Sequence, residues 1–409
     1  MTVDLTAFNF ALQEMYPDIV GRTNELDTPL LAMFPKRTDM TGESMNYPTV
    51  YANNAGRAGT LTAAQTASTG GKGVQWAITT IKDYGVIRID GQTIRASGGA
   101  GSMSRGAAAA FLSARSEEML STVKALNESI AFQLYRSGTG VRAVRSSAAA
   151  NVITLTNPTD AIFFDVGMVI GAATSADPPV ARSGTATITA VTRSPVGGTS
   201  TITVDNIATI VAFADGDGIY VSGDLNSRMK GLAAWVPTTA PGATSFFGVD
   251  RSVDTSRLGG LRYAGSEPLV ERLVNAEAFA RTQGGKLDVF AIHPTKLATI
   301  KNILADKIRF VDMKSASGRT SFRAVELDTD NGTVKLLGDP FCPVSTAYGL
   351  QLDTWKLVSM GECPGPLNHL GQDGSFFTMT SEDAIEGRLG YYAQVACSAP
   401  GYNITVSLS

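Results

Sequence analysis

Residues 104–136 read SRGAAAAFLSARSEEMLSTVKALNESIAFQLYR. Leu112, Met119, Val123, Leu126, Ile130 and Leu134 recur at steps of three, four and seven, so a helix gathers them on one face. Arg115, Glu117, Glu118, Lys124 and Glu128 fall mostly off that stripe. Ser104 can cap the start, and Gly138 and Gly140 mark the end. At 1.5 Å per residue the spacing predicts a helix roughly 50 Å long, longer than average and able to act as a beam.

Upstream of the beam, residues 46–95 read as two strand regions around a soft loop. Met45 to Tyr51 is one limb, Val74-Gln75-Trp76-Ala77-Ile78 alternates, and Val86 to Ile94 continues in β character. Between them, Ala52 to Gly73 is almost all Ala, Gly, Thr, Asn, Ser and Gln. Such a long loop without apolar periodicity is unusual inside a compact domain. It reads as an extended hairpin whose contacts lie on another subunit. Residues 1–45 form an arm with short apolar clusters ending at Pro17 and Pro35, neither long enough for a core of its own.

Downstream, residues 150–225 change character. Asn151 to Thr156, Met168 to Ala173, Thr185 to Thr192, Thr201 to Val204 and Gly218 to Val221 are short β runs. Gly, Pro and Asp turns separate them, which predicts a small antiparallel barrel or sandwich. It lies between helical segments and reads as an inserted domain. Residues 226–409 then read as α+β. Glu267 to Gln283 and Thr295 to Leu304 are helical, and Asp288 to Ile292, Val334 to Leu337, Ala347 to Leu352, Lys356 to Ser359, Ala384 to Val395 and Tyr402 to Leu408 are strands.

The 409-residue chain has 44% hydrophobic residues, 17% charged residues, 42 glycines and a formal net charge of −3. The low charge implies much uncharged polar surface or much area buried against partners. No long basic run is present, so tight nucleic-acid binding is not expected. No stretch of ~18 apolar residues predicts a membrane span. The start, MTVDLTAFNFALQEMYPDIV, carries early acids and no long apolar core, so no signal peptide is expected. Cys342, Cys363 and Cys397 are odd in number and widely spaced, as suits reduced thiols.

Motifs that carry catalysis are missing. Gly70-Gly71-Lys72-Gly73 lacks the first glycine and the hydroxyl of a phosphate loop. No GxSxG elbow and no HExxH occurs. His293, before a proline, is expected to make a structural hydrogen bond, and His369 to be solvated. Asp215-Gly216-Asp217-Gly218 opens like a calcium loop but lacks the further acids, and a tight turn is expected. No catalytic residue, cofactor site or metal site is therefore assigned, and the chain is expected not to be an enzyme.

Four segments and the C-terminus resemble the coat proteins of tailed phages with the Hong Kong 97-type fold. They are Asn24 to Leu31 (NELDTPLL), Arg228 to Val236 (RMKGLAAWV), Phe290 to Leu297 (FAIHPTKL), and Gly338 to Leu350 (GDPFCPVSTAYGL) continuing to Asp353-Thr354-Trp355-Lys356-Leu357. The close, Cys397 to Asn403 (CSAPGYN), is similar to their terminus. The second segment is expected to form a strand. The resemblance implies an α+β capsid fold with an N-arm (1–45), an extended loop (46–95) and a peripheral domain (96–149) with its spine helix (104–136). To these it adds an axial domain with the remaining peripheral strands (226–409) and the inserted all-β domain (150–225).

The resemblance also implies a major capsid protein that assembles with itself into hexamers and pentamers of an icosahedral shell. The shell encloses double-stranded DNA without sequence-specific binding and is built in the host bacterial cytoplasm. A scaffolding protein, a portal and a decoration protein are the expected partners. Some relatives crosslink a loop lysine to a neighbour, and Lys72 lies in the corresponding loop. Two other readings are an encapsulin-like compartment and a carbohydrate-binding protein working through the β insert. The insert has only Phe and Tyr as aromatics, and Trp235 lies outside it.

Overall fold

The computed structural model describes residues 27–91, 105–303, 309–314, 321–329, 332–367, 376–378 and 382–408. Most of the expected arm, together with His369, lies outside them. The described chain opens with a helical turn, α1 (Pro29–Met33), which starts on proline and buries Leu30, Leu31 and Met33. A short strand, β1 (Lys36–Arg37), follows. Next come β2 (Met45–Ala52), helix α2 (Leu61–Ala67), β3 (Lys72–Ile78) and β4 (Ile81–Asp90).

The beam is one helix, α3 (Arg105–Tyr135). Of its described side chains, Leu126, Ile130 and Leu134 are buried as their spacing predicts, and Leu120 is exposed. Over the last turn the stripe disappears, because Ala131, Phe132, Gln133, Leu134 and Tyr135 are all buried. That end of the helix is enclosed on every side.

The barrel follows: β5 (Val141–Ala149), β6 (Val152–Leu155), β7 (Val169–Ala173), β8 (Ala186–Thr192), β9 (Thr201–Val204) and β10 (Gly218–Val221). It closes in the order β10-β5-β6-β9-β8-β7, every pair antiparallel. Ile153, Leu155, Ile170, Ile188, Ile202 and Ile219 fill it. The boundary expected at residue 150 moves to Val141, because β5 pairs with both β6 and β10. Gly140 sits at φ +78 beside the Asp224 carbonyl, where a side chain would collide, so chain entry and exit lie together.

The segment Arg228 to Val236, expected as a strand, is a helical turn, α4 (Leu232–Trp235). Gly231 has room for no side chain against the Gln133 and Leu134 carbonyls, and its N–H donates to the Arg136 carbonyl at 2.9 Å. The segment thus satisfies the end of α3 instead of joining a sheet.

Two sheets complete the fold. One is six-stranded around β20 (Ala384–Cys397), with β1, β17 (Trp355–Ser359), β18 (Gly365–Pro366), β19 (Phe376–Thr378) and β4. Here the expected loop 46–95 divides. β4 leaves the hairpin and runs antiparallel to β20 from Ile81↔Ala393 to Asp90↔Ala384, burying Asp83, Ile87 and Ile89.

The other sheet is seven-stranded: β11 (Leu261–Tyr263), β21 (Ile404–Ser407), β16 (Thr346–Leu350), β12 (Val289–Ile292), β15 (Gly332–Gly338), β14 (Ser321–Thr329) and β13 (Arg309–Lys314). Helices α5 (Leu269–Thr282) and α6 (Pro294–Ile303) share a core with Phe290 and Ile292 of β12. Val289 and Ala291 belong instead to the larger core, which runs through the six-stranded sheet, α3 and the barrel. A central strand buried on both faces is a continuous apolar run, as VFAI is.

Candidate functional site

The most distinctive feature is a hairpin with a packed root and a bare tip. β2 and β3 pair from Met45↔Ile78 to Ala52↔Lys72. At the root, Trp76 is fully buried, 5.1 Å from the Trp235 ring and 6.2 Å from Phe246. Its indole N–H donates to the Thr49 hydroxyl at 2.8 Å, which donates to the Ser398 carbonyl at 2.6 Å. Ala77 N–H donates to the Phe247 carbonyl at 3.0 Å.

Beyond the root, Tyr51 and Val74 are half-buried against the core, and no residue from Val50 to Gln75 is buried. Helix α2 has no buried residue, Leu61 is 75% exposed and Val50 73%. Sequence periodicity missed α2, whose signal was the alanine content after Thr60. The Thr60 side chain accepts from Ala63 N–H and caps the helix. Asn54 Oδ1 accepts from Gly56 and Gly70 N–H and so joins the two limbs. The tip's shape is set by hydrogen bonds rather than burial. Its charges are Arg57 and Lys72, both exposed. Such an arm can supply area to a partner.

The segments quoted for the resemblance meet one another. Asp339, 1% exposed, accepts from Leu30 N–H at 3.3 Å and Phe341 N–H at 2.9 Å. Burial pushes its carboxyl up to about 6, against those two bonds. The helical turn α1 is thereby fixed to the turn after β15. Asn403 uses its whole amide. Oδ1 accepts from Gln351 N–H at 2.9 Å and the Trp355 indole at 2.7 Å, and Nδ2 donates to Thr354 Oγ1 and the Ala399 carbonyl. Trp235 donates its indole N–H to the Val395 carbonyl at 3.1 Å.

A buried polar cluster at the end of α3 was not visible in the sequence. Gln133 Nε2 donates to Ser129 Oγ at 2.9 Å and Tyr391 OH at 3.0 Å, and its Oε1 accepts from Met229 N–H at 2.8 Å. Asp83 accepts from Ser129 and Tyr391 and pairs with Arg228 at 2.7 Å. Arg228 also pairs with Asp224, which Arg142 meets at 3.2 Å. Burial opposes the Arg228 charge, yet Asp83 and Asp224 raise its pKa above the ordinary guanidinium value. For Arg142 burial outweighs Asp224 and lowers it. The cluster joins β4, α3, β20 and both ends of the barrel, so it fixes the insert to the body.

The residues weighed for chemistry are structural. His293 Nδ1 lies 2.8 Å from Thr295 Oγ1, and burial lowers its pKa to about 4. Asp217 accepts two bonds from Arg182, each at 3.0 Å, and a third from Ala214 N–H. Asp215 pairs with Arg145, and Gly216 takes φ +88, so the DGDG stretch is a turn with engaged acids. Cys342 and Cys397 are buried with raised thiol pKa, through burial. Among the described residues no group of acids, histidines and cysteines could hold a metal, and no helix is long and apolar enough to cross a membrane. All three tryptophans are fully buried outside the barrel, which leaves no tryptophan platform for a sugar.

No family model and no curated protein matches the chain. A solved structure does: a chain in the capsid asymmetric unit of cyanophage A-1(L), at TM-score 0.57 and 13% identity, covering 97% of this chain and 96% of that one. The fold is that of a phage capsid protein. The expected α+β fold of Hong Kong 97 type agrees with this match. Lower similarities are to the capsid of a native GTA particle (TM-score 0.46, 10% identity, 97% and 94% covered) and to the SrpI encapsulin of Synechococcus elongatus PCC 7942 (0.46, 9%, 99% and 95%).

Proposed function

We propose that this chain is the major capsid protein of a tailed phage, a non-enzymatic subunit that assembles with itself into hexamers and pentamers of an icosahedral head enclosing double-stranded DNA. The observation that carries the reading is the hairpin of residues 45–78, anchored through Trp76 and with no buried residue from Val50 to Gln75, on a capsid-type fold. A monomer gains nothing from an ordered limb with no core, whereas a shell subunit covers it with a neighbour. Obligate interfaces often exceed ~2,000 Å², and a flat arm supplies area cheaply in sequence.

In this reading residues 226–409 supply the axial domain and the remaining peripheral strands, α3 is the spine, and the barrel stabilises its own subunit. That role for the barrel is supported by a core continuous with α3 and the six-stranded sheet. A scaffolding protein, a portal and a decoration protein are its partners in the host cytoplasm, and the virion is its destination. Sedimentation velocity of the purified chain, alone and with a scaffolding protein from the same gene cluster, tests the proposal. Rings or shells are expected, and a monomer at every concentration and salt tried would refute it.

A further inference from the structure

Among the described residues, three cations without a carboxylate partner border the loop that receives the hairpin root: Lys230 before α4, Arg251 within the loop and Arg262 on β11. Lys230 Nζ lies 5.1 Å from the Phe246 ring centre and 4.7 Å from that of Phe247. The Arg251 guanidinium carbon lies 4.0 Å from the same Phe246 centre. Arg251 is 9% exposed. Its Nη1 donates to the Ala234 carbonyl at 2.7 Å, and its Nε is buried without a partner. Arg262 donates to the Gly259 and Thr255 carbonyls.

Among the described residues none of the three pairs with a carboxylate. Asp250, adjacent in the chain, turns back to accept from the Ser252 N–H at 2.8 Å and hydroxyl at 2.7 Å. Burial pulls Arg251 down to about 10, with Arg262 adding to the effect, and burial and then Arg251 lower Lys230. Lys230 and Arg251 thus share one ring face-on as like charges, and Arg262 repels Arg251, in partly dry surroundings where an uncompensated charge is costly. Solvent still reaches the place: Lys230 and Phe247 are half-buried, and Gly248 is exposed.

We propose that Lys230, Arg251 and Arg262 form a receptor for a carboxylate side chain of a second copy of this chain. The proposal rests on the shell reading. The site is continuous with the hairpin, since Phe247 accepts from Ala77 of β3, so a copy that covers the arm passes over it. Each copy brings 37 acids against 34 bases. Duplex DNA fits less well, because Lys230 and Arg251 share the Phe246 ring instead of spreading along phosphates.

Zero-length carbodiimide coupling tests this, since it forms an amide only between an amine and a carboxylate in direct contact. Particles are assembled from an equal mixture of unlabelled and heavy-nitrogen full-length chain, coupled and digested for mass spectrometry. An amide from Lys230 to an aspartate or glutamate in mixed-isotope pairs is expected, absent from unassembled subunits. Lys230→Glu should raise the concentration needed for assembly roughly tenfold, with subunit melting unchanged, and Lys230→Gln should act in the same direction but less. Particles in which Lys230 is unlinked, or linked only within its own chain, overturn the site. Protection of Lys230 from acetylation only in DNA-filled particles overturns it in favour of phosphate. If the parent chain forms no particles, the shell reading fails first and the receptor falls with it.

Discussion

Separating the root of the hairpin from its tip gives the sharpest test of how the arm works. Trp76 is fully buried among Trp235 and Phe246 and donates to Thr49. Trp76→Ala removes a large side chain from a closed core, at about 3–5 kcal/mol. It also leaves the Thr49 hydroxyl without its indole partner, at about a further 1 kcal/mol. Against a domain stability of ~5–15 kcal/mol, the melting temperature of the unassembled subunit should fall steeply. Leu61→Ser acts at the other end. Leu61 is 75% exposed, so the subunit should change by less than about 0.5 kcal/mol. Covered by a neighbour, the same leucine contributes about 1.5–3 kcal/mol, so its loss should raise the concentration for assembly about ten- to hundredfold. Thermal melts of unassembled subunits and light scattering of assembly read the two effects separately. Unchanged assembly in Leu61→Ser would mean that the tip is not an interface. A parental melt in Trp76→Ala would mean that the root is not core.

Three further outcomes follow from the packing. Gly85 on β4 lies under α3, where an added methyl would press into the Thr122 methyl and approach Leu126, so Gly85→Ala should cost about 1–3 kcal/mol in a chemical-denaturation curve. Arg228→Met leaves Asp83 and Asp224 buried without their shared cation, and a loss of about 3–5 kcal/mol is expected, with little change if the cluster is not structural. Asp339 has a folded pKa raised from 3.8 to about 6, so the folded state holds the proton more tightly. Its stabilising effect is full below the unfolded value and is lost as pH rises through about 6, by about 3 kcal/mol at ~1.4 kcal/mol per tenfold. Asp339→Asn cannot titrate and should flatten that part of the stability–pH curve, and an identical slope in parent and variant would contradict the burial argument.

Periodicity revealed what depends on one face being dry and the other wet. Leu126, Ile130 and Leu134 are buried as spaced, and the alternating insert is a barrel. It failed where several elements converge. Gln133 looks like a surface residue but is 2% exposed, because its amide completes a network drawn from β20, β4 and the segment after the barrel. Strand β5, VRAVRSSAA, has almost no apolar signal. Its pairing is set by partners on both sides, with Ala143 facing inward. Arg228 to Val236 resembles a strand-forming segment, yet Leu-Ala-Ala-Trp is a good helix-forming run and folds as one. Of the candidate site, the loop composition signalled an unpartnered arm. The anchoring of that arm by two aromatic rings distant in sequence, Trp235 and Phe246, is not legible.

A cryo-electron microscopy map of particles formed by the full chain bears most directly on the claim that this is a shell subunit. A closed shell of repeated copies is expected, with the hairpin from Val50 to Gln75 lying on the body of an adjacent copy and Leu61 buried there. Particles that leave the hairpin in solvent, or a chain that stays monomeric with its scaffold present, would contradict it.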